Sequence, residues 1–194
     1  MRKNSKPRRE WVVIFVAFLV CAAVLGALFL KKYEERRQQP ATQQPSPQEG
    51  TFLVTLFFAS PDGSGLVREG REIDACEDPA DCVGSVIDEL VNGPLGDLAP
   101  TLPDNLSVRG VQVNGDLAVI DLGEEIVTGL PGGSAAEMTA VYSIVDSVAV
   151  NFPRIRQVRF LVDGKSVDTL KGHLDLRGSL KPDFTLEKKP AASS

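Results

Sequence analysis

Residues 51–184 are predicted to form an α+β domain, two helices packed on one face of a mostly antiparallel sheet, preceded by a single transmembrane helix. Three observations carry this reading. Stretches of strand and helix character follow one another as strand–strand–helix–strand–strand–helix–strand. Asn114-Gly115 sits between two runs rich in β-branched residues, the strongest short-range hairpin signal. Ahead of the domain, Trp11 to Leu30 is a run of 20 residues without a charge.

At 1.5 Å per residue that run spans about 30 Å, the thickness of a bilayer's hydrocarbon core. Residues 1–10 before it are basic (Arg2, Lys3, Lys6, Arg8, Arg9), and Lys31, Lys32, Arg36 and Arg37 follow, diluted by Glu34 and Glu35. The balance favours a cytoplasmic N-terminus by a narrow margin. A cleaved signal peptide would need a shorter apolar core and a small-residue cleavage site, whereas KKYEERR follows directly. Cys21 is preceded by Phe18-Leu19-Val20 deep within the run, unlike an acylated lipoprotein cysteine. Residues 31–50 form a juxtamembrane segment and a Pro/Gln-rich linker; residues 38–50 have no large apolar side chain and read as a spacer reaching about 40 Å.

In the domain, Phe52–Phe58 and Leu66–Ile73 are predicted strands joined by the turn-rich Ser60–Gly65. A helix follows. Asp78 can cap it, Pro79 suits its first position, and Asp81 places a carboxylate at the positive dipole end. Val83, Val86, Ile87 and Leu90 mark one face, and Asn92-Gly93-Pro94 stops it. Val108–Val113 and Leu117–Leu122 flank the Asn114-Gly115 turn. A second helix is expected from Ser134, with Glu137 completing a capping box. Its stripe would be Met138, Val141, Tyr142, Val145, Val148, Ala149 and Phe152, ended by Pro153. Arg156–Val162 is the last clear strand, followed by the Asp163-Gly164 turn; residues 185–194 read as a disordered tail.

Composition excludes much. Residues 1–50 carry nine basic and four acidic side chains, residues 51–194 twelve and 22. So acidic a domain repels phosphate backbones, and no nucleic-acid partner is expected. One His and three scattered Cys leave no expected metal site, and no cofactor is implied. Gly129–Ser134 lacks the lysine and spacing of a phosphate loop, so a flexible connection is the better reading. His173 has no nucleophile elbow around it, and the adjacent acids Glu124-Glu125 and Asp88-Glu89 read as solvated charge, so no catalytic residue is assigned. Sugar-binding aromatic platforms are lacking in the sequence, leaving peptidoglycan a possible but unsupported partner. Cys76 and Cys82 bracket the start of the first helix. A disulfide there suits an oxidising compartment; two free thiols, with Cys82 as a small core residue, are the competing reading.

The ordered segments VTLFFASPDG (54–63), ELVNGP (89–94), LSVRGVQVNGDLAVIDLGEE (106–125), GGSAAEM (132–138) and RQVRFLVDGK (156–165) resemble the GerMN domain, named from sporulation and spore-germination proteins. The resemblance covers about residues 52–184. It implies a ring-building-motif-like α+β fold and a non-catalytic, extracytoplasmic, membrane-tethered module that helps assemble envelope complexes, with no catalytic residues to carry over. Asn114, Gly115, Gly132, Gly133, Asp163 and Gly164 correspond as turn positions. Well-known members are lipoproteins, often with two copies of the domain, and the Cys76/Cys82 pair is not part of their pattern. The expected function is therefore that of an interaction or self-assembly module of the bacterial cell membrane, its partners being envelope proteins or further copies of itself. The alternative is an accessory cell-wall-binding module or a regulator of a peptidoglycan hydrolase.

Overall fold

The computed structural model describes residues 50–188. The apolar run at 11–30 lies outside them, and among the described residues no helix is long and apolar enough to cross a membrane. The architecture is α+β, but the single sheet expected from the sequence is two. Strands β1 (Thr51–Ala59) and β2 (Leu66–Asp74) form an antiparallel hairpin sheet. Strands β3 (Val108–Asn114), β4 (Leu117–Leu122), β5 (Gln157–Val162) and β6 (Lys165–Ser166) form a second sheet in that order. Its β4–β5 pair is parallel, a pairing that requires the long crossover connection between these strands. The helices are α1 (Pro79–Val91), the single-turn α2 (Glu125–Thr128) and α3 (Ser134–Asn151).

Helix α1 forms as its sequence dictates. The Asp78 carboxylate accepts from Ala80 N at 2.7 Å, Pro79 opens the helix, and Val83, Val86, Ile87 and Leu90 are buried. Its C-terminus carries no basic residue of its own; Arg71 of β2 supplies the cation. Arg71 Nη1 donates to Glu89 O and to the Glu89 carboxylate at 3.1 and 2.9 Å, and Nη2 donates to Gly93 O at 2.9 Å. A positive charge on the last carbonyls of a helix meets the negative end of its dipole, which fixes the hairpin to α1.

Helix α3 departs further from expectation. Gly133, at φ +120°, is the N-cap, with no capping side chain, so Ser134 and Glu137 do not form a capping box. Nor is there one apolar stripe. Met138 is exposed, while Glu137, Ser143, Asp146 and Ser147 are buried beside Val141, Ile144, Val145 and Val148. The helix packs against both β1 and β5, so nearly every side of it is covered and polar residues are drawn inside.

Those polar residues explain why there are two sheets. Asn151 Oδ1 accepts from Thr55 N at 2.8 Å, and its Nδ2 donates to Thr55 O at 2.7 Å. Ser147 Oγ accepts from Phe57 N at 3.0 Å. Residues four apart on a helix are separated by about 6 Å, close to the ~6.6 Å between alternate residues of a strand. Ser147 and Asn151 therefore satisfy the outer edge of β1 as a neighbouring strand would. Asn151→Ala is expected to cost about 2 kcal/mol, since both partly buried groups of Thr55 lose their partner; urea unfolding checks this, and a change below about 0.5 kcal/mol would show the edge to be hydrated instead.

Beneath these contacts lies one core, built from Val54, Leu56 and Phe58 of β1, the apolar face of α1, Ala118, Ile120 and Leu122 of β4, and Val158, Phe160 and Val162 of β5. The fold also extends past Phe184. The turn Phe184–Leu186 leads to Lys188, whose N–H donates to Leu66 O at 2.7 Å, so residues 185–188 belong to the domain and not to a tail.

Candidate functional site

Glu137 is fully buried, and its carboxylate organises the 169–173 loop. Oε1 accepts from Thr169 Oγ1 at 2.5 Å, Leu170 N at 2.8 Å and Lys171 N at 3.0 Å, while Oε2 accepts from His173 N at 2.9 Å. Burial alone would raise the carboxyl's pKa; the four donated hydrogen bonds outweigh it and hold the value at about 2. His173 thus contributes its backbone N–H to this clamp, with its side chain exposed.

A second cluster joins β1, β2, α3 and the C-terminal segment. Arg68 lies over the Phe57 ring at 5.1 Å and the Phe184 ring at 6.0 Å, and its Nε and Nη2 donate to Glu187 at 2.7 and 2.8 Å. Close by, Asp146 is fully buried. Its Oδ1 accepts from Asp183 N at 2.9 Å, but Oδ2 has no hydrogen-bond partner. Burial pushes its carboxyl up to about 6; the hydrogen bond from Asp183 N and the charge of Arg68 act the other way, while the charges of Asp183 and Glu187 add to the rise. Adjoining this cluster is an open groove of about 630 Å³ lined by Asp116, Ile155, Arg156, Lys181 and Phe184. Phe184 is 41% exposed at its margin, and Leu53 and Leu95 stand out at 73% and 80% exposure elsewhere on the surface.

The residues singled out in the sequence fall as follows. Cys76 and Cys82 are bonded to each other, their Cα atoms 5.4 Å apart, tying the loop before α1 to its first turn. So short a loop stabilises by about 2 kcal/mol in the chain-entropy model. Cys76→Ser/Cys82→Ser is expected to lose that amount; equal melting of the native domain with and without reductant would contradict it. Asn114 pairs with Leu117, so the tight loop is Gly115-Asp116, one residue further along than the Asn-Gly signal suggests, with Gly115 at φ +65°. That is the pattern of glycine at the first central position, not of a type I′ turn. Asp163 and Gly164 do form a tight turn with both φ positive, at 48° and 74°. Its Gly164 N–H donates to Asp121 Oδ1 at 2.8 Å. Gly132 and Gly133 lie exposed ahead of α3.

Sequence reasoning missed Arg71, Asp146, Ser147 and Asn151, and gave Glu137 a capping role in place of its clamp on the 169–173 loop. The available signal was polar side chains interrupting an otherwise apolar helix, together with the charged β2. Among the described residues no group of three His, Cys, Asp or Glu side chains is placed to hold a metal ion.

This geometry defines a two-sheet α+β domain whose buried polar groups hold the fold itself, leaving an open groove, a bare sheet edge and isolated apolar side chains at the surface. The chain belongs to the Germane family of sporulation and spore germination, whose model matches residues 55–168, more than half of its length. Two solved structures from Bacillus subtilis share the fold. The tandem GerMN domains of the sporulation protein GerM superpose with a TM-score of 0.58 at 19% identity, covering 76% of this chain and 51% of that one. The first GerMN domain of GerM gives 0.52 at 14% identity, covering 68% of this chain and 98% of that one. This chain thus spans about half the length of the tandem protein. No curated protein matches it.

Proposed function

We propose that this protein is a non-catalytic, membrane-anchored extracytoplasmic module that assembles with envelope proteins or with further copies of itself, in a sporulation- or germination-type complex. One observation carries the reading: the most perturbed buried carboxylates, Glu137 and Asp146, are committed to the fold's own backbone, Glu137 to the 169–173 loop and Asp146 to Asp183 N. Neither lines the groove. What remains for a partner is surface.

The uncharged run at 11–30 serves as the anchor, with residues 1–10 cytoplasmic and residues 31–50 spacing the domain from the bilayer. The Cys76–Cys82 bond fits an oxidising extracytoplasmic location. Protease added to intact spheroplasts tests the topology. Digestion of the domain, with the N-terminus protected and the chain resisting carbonate extraction, is the expected result. A domain that is protected until the cells are lysed, or is washed off by carbonate, would overturn it.

A further inference from the structure

The two outer edges of the β1–β2 sheet are treated differently. Ser60 N donates to Gly65 O and Ala75 N to Gly50 O. These bonds set the alternation of the ladder, so the backbone groups of Thr55 and Phe57 on β1, and of Arg68, Gly70, Glu72 and Asp74 on β2, point away from the hairpin. On β1 that edge is closed by Asn151 and Ser147. On β2 the C-terminal segment covers Leu66 alone, through Lys188 N. From Arg68 onward the four outward residues are exposed, and none of their backbone groups has a partner among the described residues.

We propose that β2 pairs with β2 of a second copy, antiparallel and centred on Gly70, making one four-stranded sheet across two chains. The argument is charge complementarity. On the exposed face of β2, Arg68, Gly70 and Glu72 form their own antiparallel complement; Glu69 and Arg71 lie on the other face, already paired with each other and, through Arg71, with the end of α1. With Gly70 opposite Gly70, Arg68 faces Glu72 of the second copy, twice by the two-fold axis. The outward groups permit register shifts only in steps of two. One such step sets Arg68 opposite Gly70 and Glu72 opposite Leu66, which Lys188 covers, and the other sets Glu72 opposite Gly70, so only the Gly70-centred register gives both Arg68 and Glu72 a partner. Charges on an edge ordinarily prevent indiscriminate pairing; this pattern rejects every strand but a complementary one.

The local structure fits. Arg68 uses Nε and Nη2 on Glu187 and keeps Nη1 for Glu72 of the second copy. Only Leu53 Cδ1 lies within 4 Å of a Cβ built at Gly70, at 3.6 Å, so nothing bulky stands on the two-fold axis. The C-terminal segment at Leu66 limits the shared ladder to residues 68–72 of each chain. An interface of that size is weak in solution, and a shared membrane raises the effective concentration at which it forms. This inference rests on the self-assembly part of the proposed function.

The test uses the full chain in phosphatidylcholine vesicles, with Cys21→Ala so that no membrane thiol reacts. Across the two-fold axis, residues at position 70 lie about 5.5 Å apart, within disulfide reach. Gly70→Cys is expected to give a disulfide-linked dimer under mild oxidation, at least about tenfold faster than Glu72→Cys, which faces Arg68 and not itself. Adding Glu72→Arg to Gly70→Cys sets Arg opposite Arg68 and is expected to slow linking about tenfold. Thermal melting by circular dichroism confirms that each variant is folded. Equal linking of Gly70→Cys and Glu72→Cys, or linking indifferent to Glu72→Arg, would overturn the register and with it the proposal. In that event, crosslinks in cells between other surfaces of two copies, or to another envelope protein, would leave the broader function standing.

Discussion

Replacing Glu137 with alanine is expected to destabilise the domain by about 3 kcal/mol at neutral pH. The substitution strands the Thr169 hydroxyl and the N–H groups of Leu170, Lys171 and His173 at once. The same size follows from the carboxyl itself. Its pKa falls from 4.5 to about 2 on folding, and each unit corresponds to about 1.4 kcal/mol. Because the native value is depressed, this contribution is complete above pH 4.5 and disappears as pH falls toward 2. Glu137 is sealed by a partly exposed loop, with Gly172 and His173 at the surface, so water can hydrate part of the released backbone, and about 3 kcal/mol is the upper end of the range. Glu137→Gln keeps one acceptor and should fall between alanine and the parent. Urea unfolding at pH 7 gives the number; a loss under 1 kcal/mol would mean that the 169–173 loop holds its shape unaided.

Asp146 has the opposite sign. Its carboxyl rises from 3.8 in the unfolded chain to about 6 in the fold, so the native state binds a proton that the unfolded state has already released. Stability is therefore expected to fall as pH rises from about 4 to 6, by up to about 3 kcal/mol, and to level off above. The groups facing it are the Asp183 and Glu187 carboxylates, which oppose its charge, and the Asp183 N–H and Arg68, which favour it. The sum of the Glu137 and Asp146 contributions is greatest between about pH 4 and 5. Asp146→Asn keeps an acceptor for Asp183 N and removes the titration. Its unfolding free energy should no longer decline from pH 4 to 6, where the parent's does. Parallel curves for parent and variant would show that Asp146 is not the group responsible.

How far the sequence leads depends on what each residue's environment requires. Helix α1 is legible because its determinants are local: Asp78, Pro79 and the Val83–Leu90 face act within a few residues, and each does what its chemistry suggests. The hairpin strands and the β5–β6 turn are legible for the same reason. Ser134 and Glu137 mislead because the spacing of a capping box is also the spacing at which a helix presents a residue to a distant loop, and only the tertiary fold decides. Asn151 and Ser147 read as ordinary polar helix positions, yet they close a strand edge 90 or more residues away in sequence. The second sheet was hidden by the same contact, since a strand satisfied by a helix needs no third strand. Family membership was legible in the order of five segments, while the surfaces left open depend on which edges the fold happens to cover.

If the open surface of the domain serves assembly, crosslinking in intact cells will capture its neighbours. A short-reach amine and carboxyl crosslinker applied to cells making the full chain, followed by identification of the linked peptides, reports neighbours without disrupting the membrane. The expected links run from the described domain, at β2 or around the 181–187 segment, to a second copy or to another extracytoplasmic envelope protein. A chain recovered wholly unlinked, under conditions that link established envelope complexes in the same cells, would contradict that expectation.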